Sequence, residues 1–138
     1  MSENATTVRG TAETVQEFFN RFGAGDRTGM LELFAETTDF EVPGAPTVPW
    51  TGQRSTHGQI AEFIRSATED VATKAFNVDH ILVDGQHAVV LGDFAHEVLS
   101  TGKVFASRFA LHVTVTDGLI TTYRMYENSV AAAFAFAG

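Results

Sequence analysis

The sequence predicts one α+β domain in which helices are wrapped by a curved, mostly antiparallel sheet. Three observations carry this reading. From about Lys74 to Glu127, four strand-like stretches follow one another with only tight turns between them. Helical apolar spacing fills the first half of the chain. The length, 138 residues, suits a single unit (1-138) that buries roughly two-thirds of its unfolded surface. A sheet curved around its own helices can enclose an apolar pocket.

Residues Met1 to Arg9 read as a frayed tail. Thr11 or Thr14 can then cap a helix whose apolar positions are Val15, Phe18, Phe19 and Phe22, and Gly23 and Gly25 end it. Asp26 can cap a second helix carrying Met30, Leu31, Leu33 and Phe34, and a short strand, Asp39 to Val42, follows. The segment Pro43 to Gly52 holds three prolines, two glycines and Trp50, so it is neither a regular helix nor a central strand and reads as a loop that can serve as a pocket lid. Ile60, Phe63, Ile64 and Ala67 give a third amphipathic helix from about Ser55 to Asp70.

The period then changes to two. On the first long strand, Phe76, Val78, His80 and Leu82 share one face, and His80 is expected to pack against the third helix. The next strand, Ala88 to Leu99, puts Val90, Gly92, Phe94, His96 and Val98 together, with Asp93, Ala95 and Glu97 opposite. Asp84-Gly85, Thr101-Gly102 and Asp117-Gly118 supply the turns. Ser129 to Ala137, mostly Ala and Phe, forms either a short closing helix or a tail that docks on a partner subunit.

Composition narrows the function classes. Twelve Phe against two Tyr and one Trp give aromatic surface that mostly lacks a polar handle and belongs in a core, a pocket wall or an interface. Seventeen acidic against nine basic side chains, a net charge of −8, repel phosphate backbones and anionic headgroups, so nucleic acid and membrane are not expected partners. With no cysteine, disulfides, thiolate nucleophiles and Cys-based metal sites are excluded. No HxH or HExxH spacing supports a metal, and no cofactor is expected. Met1 to Val8 lacks a basic segment followed by an apolar core, and a cytoplasmic location is the default expectation.

Two stretches carry a wider pattern: Val15 to Phe34, with Gly25-Asp26 between the helices, and Gly118 to Asn128, reading GLITTYRMYEN. Together with Val42-Pro43-Gly44 and Trp50-Thr51-Gly52 they resemble the SnoaL-like branch of the nuclear-transport-factor-2-like superfamily, over nearly the whole chain. The resemblance implies a conical barrel of α+β class, three N-terminal helices packed in its curved sheet, and commonly a homodimer. Members include ketosteroid isomerases, polyketide cyclases, epoxide hydrolases and proteins with no assigned activity, so the fold does not name the reaction.

Carrying the family's catalytic positions over residue by residue leaves them vacant. The isomerases' donor tyrosine falls on Phe18, their proton-abstracting aspartate on Val42, and their second donor near Leu111. The epoxide hydrolases' Arg and two Asp fall on Gly92, Phe94 and Met125, and the cyclases' acid/base aspartate also falls on Met125. None of these side chains moves a proton.

With Val42 and Met125 inward, as the resemblance implies, alternation carries Tyr123 and Glu127 inward with Met125, and His96 with Phe94. These three are the candidate catalytic groups. The expected ligand-binding residues are Phe18, Phe40, Val42, Trp50, Phe94, Phe109, Leu111 and Met125. Glu127 is either a displaced base, its pKa raised by an apolar wall, or a cap beside Asn128 and Ser129. His96 is either its proton-transfer partner or a core histidine, and Tyr123 either polarises a carbonyl or satisfies a structural bond. Trp50 stacks on a ligand or anchors its loop, and Arg54 and His57 lie at the mouth or on the surface. Arg108 and Arg124 face outward, toward dimer contacts or Asp93 and Glu97, and His87 and His112 are exterior. The function classes in competition are an enzyme acting on a hydrophobic carbonyl or polyketide-like molecule, a non-catalytic binding or scaffold protein, and a pocket and tail that serve dimerisation, with Phe134 and Phe136 crossing to the other subunit.

Overall fold

The computed structural model describes residues 8–138. Of the tail read at 1–9, therefore, all but Val8 and Arg9 lie outside the described residues. In chain order the elements are α1 (Thr11–Ala24), α2 (Arg27–Glu32), β1 (Phe34–Val42), β2 (Gly52–Thr56), α3 (His57–Glu69), β3 (Val71–Asp84), β4 (His87–Val98), β5 (Val104–Thr116), β6 (Leu119–Glu127) and α4 (Ser129–Phe136). The six strands form one sheet in the order β2-β1-β6-β5-β4-β3. Only β1 and β6 run parallel; the other neighbours are antiparallel. Three helices precede β3, and a fourth closes the chain.

The helix ends follow local chemistry and differ from the reading above in three places. Neither threonine caps α1. Gly10 does, its N–H held by Glu13 Oε1 at 3.0 Å, while the Thr14 hydroxyl bonds the Gly10 carbonyl and Thr11 reaches Gly85. Gly25 ends α1 in the left-handed region at φ 70°, and the Asp26 carboxylate accepts from Gly29 N–H to start α2. That helix lasts six residues, so Leu33 caps it and Phe34 already opens β1. Gly52–Thr56, read as loop and helix start, is instead a short polar edge strand, after which Thr56 and Gln59 form a reciprocal cap on α3.

Alternation holds through β4 and β5. Ala88, Val90, Gly92, Phe94, His96 and Val98 face inward, opposite Phe105, Ser107, Phe109, Leu111, Val113 and Val115. Strand β3 departs from it at two bulges. Thr73 pairs with His96 and Phe76 with Phe94, so the extra residue between Thr73 and Ala75 puts Thr73 on the inner face. Val78 pairs with inward Gly92, but a second bulge at Asp79 makes His80 the partner of outward Leu91. His80 is thus exposed on the outer side and does not pack against α3; Leu82, at 56 % exposure, follows it. One extra residue reversed every later side chain.

Gly92 makes the second bulge fit. A Cβ there would stand 2.0 Å from the Asn77 carbonyl oxygen and 2.7 Å from the Phe109 ring. The β3 backbone and an aromatic ring both occupy the space a side chain would need at this glycine. The outward charges find other partners than those expected: Arg124 pairs with Asp39, Glu97 with Lys74 at 3.1 Å, and Asp93 accepts from Asn77. His87 and His112 stack on each other outside the sheet, ring nitrogens 3.1 Å apart. Helix α4 docks on its own chain: Phe136 meets Trp50 edge-on at 5.2 Å, Thr101 bonds the Ala135 carbonyl, and Phe134 stays exposed. Among the described residues no helix is long and apolar enough to cross a membrane.

Gly92→Ala is expected to lower unfolding stability by about 1–3 kcal/mol through overpacking, read from urea denaturation. Gly58→Ala in α3, where a Cβ meets nothing within 4 Å, should be neutral or gain up to about 1 kcal/mol from helix propensity. Equal stability of the two variants would contradict the close approach at Gly92.

Candidate functional site

The inner face of the sheet is longer than the helices that cover it, and a cavity remains between them. About 60 Å³ of it is open to the centre of a water molecule, room for several waters or one compact ligand. Helix α1 contributes Phe18, Phe19 and Phe22, α2 Met30, and α3 Phe63 and Ala67. The sheet contributes Val42, Phe76, Phe94, His96, Tyr123, Met125 and Glu127, and Trp50 enters from the proline-rich loop.

All three candidate catalytic residues therefore meet at one cavity, together with Phe18, Val42, Trp50, Phe94 and Met125. Phe40, Phe109 and Leu111 do not line it. Phe40 lies behind Tyr123, the two rings stacked 4.6 Å apart at 4°. Phe109 sits over Gly92 and stacks on Phe76, and Leu111 is sealed within the wall. Inward direction placed these three in the core, not at the void. Phe19, Phe22, Met30, Phe63, Ala67 and Phe76 line the cavity without having been singled out. Their helical spacing was visible, but only the depth of packing distinguishes a core face from a pocket wall.

Glu127 ends β6, and its carboxylate accepts a hydrogen bond from Trp50 Nε1 at 2.9 Å across 77 residues of sequence. Burial raises its pKa above the usual carboxylate range, and the indole bond partly opposes that. Trp50 is thus both loop anchor and wall. Arg54 fixes the same loop by donating to the carbonyls of Pro49, Trp50 and Thr51, with its guanidinium 5.8 and 5.7 Å from the Phe40 and Phe63 ring centres. Desolvation lowers its pKa. His57 bonds the Phe34 carbonyl at 2.8 Å and takes no part in the cavity.

His96 packs on Phe94 with ring centres 4.4 Å apart, and its Nδ1 lies 3.2 Å from the Thr73 hydroxyl that the first β3 bulge turned inward. Burial pushes its pKa down to about 4, so the imidazole is neutral at pH 7. Tyr123 is buried, and burial followed by the negative charge of Glu127 raises its pKa well above the usual phenol range. Its hydroxyl makes no hydrogen bond among the described residues. The site therefore offers a neutral phenol, a neutral imidazole and one carboxyl group whose acidity burial weakens. Among the described residues there is no group of three or more His, Asp or Glu side chains that could hold a metal ion.

The two titrating groups act on stability with opposite signs. His96 has a folded pKa below the unfolded 6.5, so the unfolded chain takes up its proton first and stability is lost as pH falls from 6.5 toward 4. Glu127 is raised, so its contribution is complete below the unfolded value of 4.5 and declines as pH rises through its folded pKa. His96→Gln keeps a partner for Thr73 and does not titrate. Between pH 7 and pH 4.5 the wild type should lose about 2 kcal/mol relative to this variant in urea unfolding; parallel pH curves would refute the buried neutral imidazole.

The comparisons with known proteins agree with this architecture. No curated protein matches the sequence. A nuclear-transport-factor-2-like protein from Burkholderia xenovorans LB400 superposes with a TM-score of 0.84 at 26 % identity, covering 95 % of this chain and 98 % of that one. The protein TerC, co-crystallised with polyporic acid, superposes with a TM-score of 0.79 at 19 % identity over 91 % of this chain and 97 % of that one. A Mesorhizobium loti protein, provisionally described as a SnoaL-like polyketide cyclase, gives a TM-score of 0.67 at 19 % identity over 83 % and 97 %. The last two likenesses concern the fold. The sequence pattern of the SnoaL-like domain matches residues 15–123, and the chain belongs to that family, within the nuclear-transport-factor-2-like superfamily.

Proposed function

We propose that the protein binds a compact hydrophobic small molecule in this cavity and performs acid/base chemistry on a carbonyl of that ligand. Tyr123 donates a hydrogen bond to the oxygen, and Glu127 or His96 takes a proton from the adjacent carbon and returns it. The observation that carries the reading is the meeting of these three groups in one apolar cavity, with Glu127 displaced by burial toward the range where a carboxyl group transfers protons near neutral pH. The fold likeness to TerC, a protein crystallised with an organic ligand, supports a small-molecule role.

A second reading, binding without catalysis, is favoured by one specific fact. The positions where the family's isomerases and cyclases carry acid/base residues are here Phe18, Val42 and Met125, all in the cavity wall. In either reading the proposed setting is a cytoplasmic homodimer without nucleic acid or membrane contacts. The outward sheet groove bearing Leu91, Asp93, Arg108 and Tyr126 offers a mixed apolar and charged surface for pairing.

The readings separate by deuterium exchange into small apolar ketones such as cyclohexanone, followed by NMR in D2O. Under the enzyme reading the wild type accelerates exchange next to the carbonyl at least tenfold over buffer. Glu127→Gln should cut that rate at least tenfold, about 1.4 kcal/mol of transition-state stabilisation, and Phe94→Asp should abolish binding. Ketone binding with no accelerated exchange would select the binding reading, and loss of neither activity nor binding in both variants would remove the cavity from the function.

A further inference from the structure

The cavity has a charge preference that its apolar character conceals. Of its fourteen lining residues, eight are Phe, Tyr or Trp and none is Lys or Arg. Glu127 is the acid among them, and its hydrogen-bond partner among the described residues is the neutral indole N–H of Trp50. Arg54 is committed to the loop carbonyls and lies against Phe40 and Phe63 without lining the cavity, and Arg108, which shares the outward groove with Glu127, sits on the exposed face of β5 and does not line the cavity either. Lys74 and Arg124 pair with Glu97 and Asp39 elsewhere.

A carboxylate that leaves water without a counter-ion is costly, and it gains most from a cation brought by a ligand. The faces of aromatic rings carry negative potential and attract cations as well. Both features act with the same sign. An anionic ligand would meet Glu127 with nothing to compensate it, and a neutral one would leave the acid to its indole bond alone.

We infer that the cavity takes a small apolar amine, its ammonium group against the Glu127 carboxylate and the surrounding ring faces, its hydrocarbon body among the phenylalanines. This rests on the reading of the cavity as the ligand site and adds the charge of the occupant; a carbonyl on the same molecule would meet Tyr123. In that arrangement Glu127 is the counter-ion, and the neutral imidazole of His96 is the group left to accept a proton.

Trp50 is the chain's single tryptophan and touches Glu127, so its emission reports occupancy. The test titrates cyclohexylammonium, cyclohexanol, cyclohexanone and cyclohexanecarboxylate at pH 8 into the wild type and Glu127→Gln, with saturation-transfer NMR as a second readout. The Gln oxygen can still accept the Trp50 bond, which keeps the variant's fold. Binding of the ammonium at least tenfold tighter than the alcohol, with the carboxylate weakest and the preference reduced below threefold in Glu127→Gln, is the expected result. If the alcohol or ketone binds as tightly as the ammonium, the inference fails and the proposed function stands. An ammonium preference that survives in Glu127→Gln overturns the role of that residue. If none of the four binds by either readout, the inference and the reading of the cavity fail together.

Discussion

The molecule is governed by a mismatch between one long inner sheet face and three short helices that must cover it. Strands β4 and β5 present twelve inward positions between them, while α2 spans only six residues. A flat sheet would leave much of that face in water. Curvature brings the two ends of the face toward α1 and α3, and the close approach at Gly92 permits it: the β3 bulge and the Phe109 ring occupy the volume a side chain would take. Where the helices run out, rings from α1, α3 and the sheet face one another across the remaining space. The cavity is the residue of imperfect coverage.

The same bulges explain how much was legible in the sequence. Alternation in β4 and β5 follows local apolar patterning, so their shared faces could be read directly; the inward direction of His96, Tyr123 and Glu127 came from the family resemblance, and β6 carries an irregularity at Thr121 that a period-two count does not show. The reversal at Asp79 could not be read this way, because it goes with a close approach of the Asn77 carbonyl to Gly92, fifteen residues away in sequence and invisible to a period-two count. Strand β2 carries no apolar residue at all, only a pairing with β1 along Gly52–Thr56. Nothing in its composition marks it as a strand.

The site was legible to the same depth. Knowing that Leu111 and Phe40 point inward did not say whether they meet a ligand or each other's neighbours. Phe40 shows the difference: its ring supports Tyr123 from behind and is edge-on to Phe63 at 4.7 Å. It positions a pocket residue without touching the pocket. The partner of Glu127 was equally hidden, since Trp50 lies in a loop whose prolines announce only irregular backbone.

That partnership links the loop to the chemistry of the cavity. Trp50, buried in one wall, donates its N–H to Glu127, whose carboxylate is partly buried beside it. The indole bond favours the ionised carboxylate, whereas desolvation favours the neutral acid, and desolvation is the larger of the two. Any movement of the loop that admits water removes the larger influence first and returns Glu127 toward an ordinary carboxylate. Arg54 resists such movement by gripping three successive loop carbonyls, and Phe136 of α4 braces the indole from the other side. A proton-transfer role for Glu127 therefore depends on groups that touch no ligand. The closed loop is what gives an otherwise unexceptional carboxyl group its altered acidity.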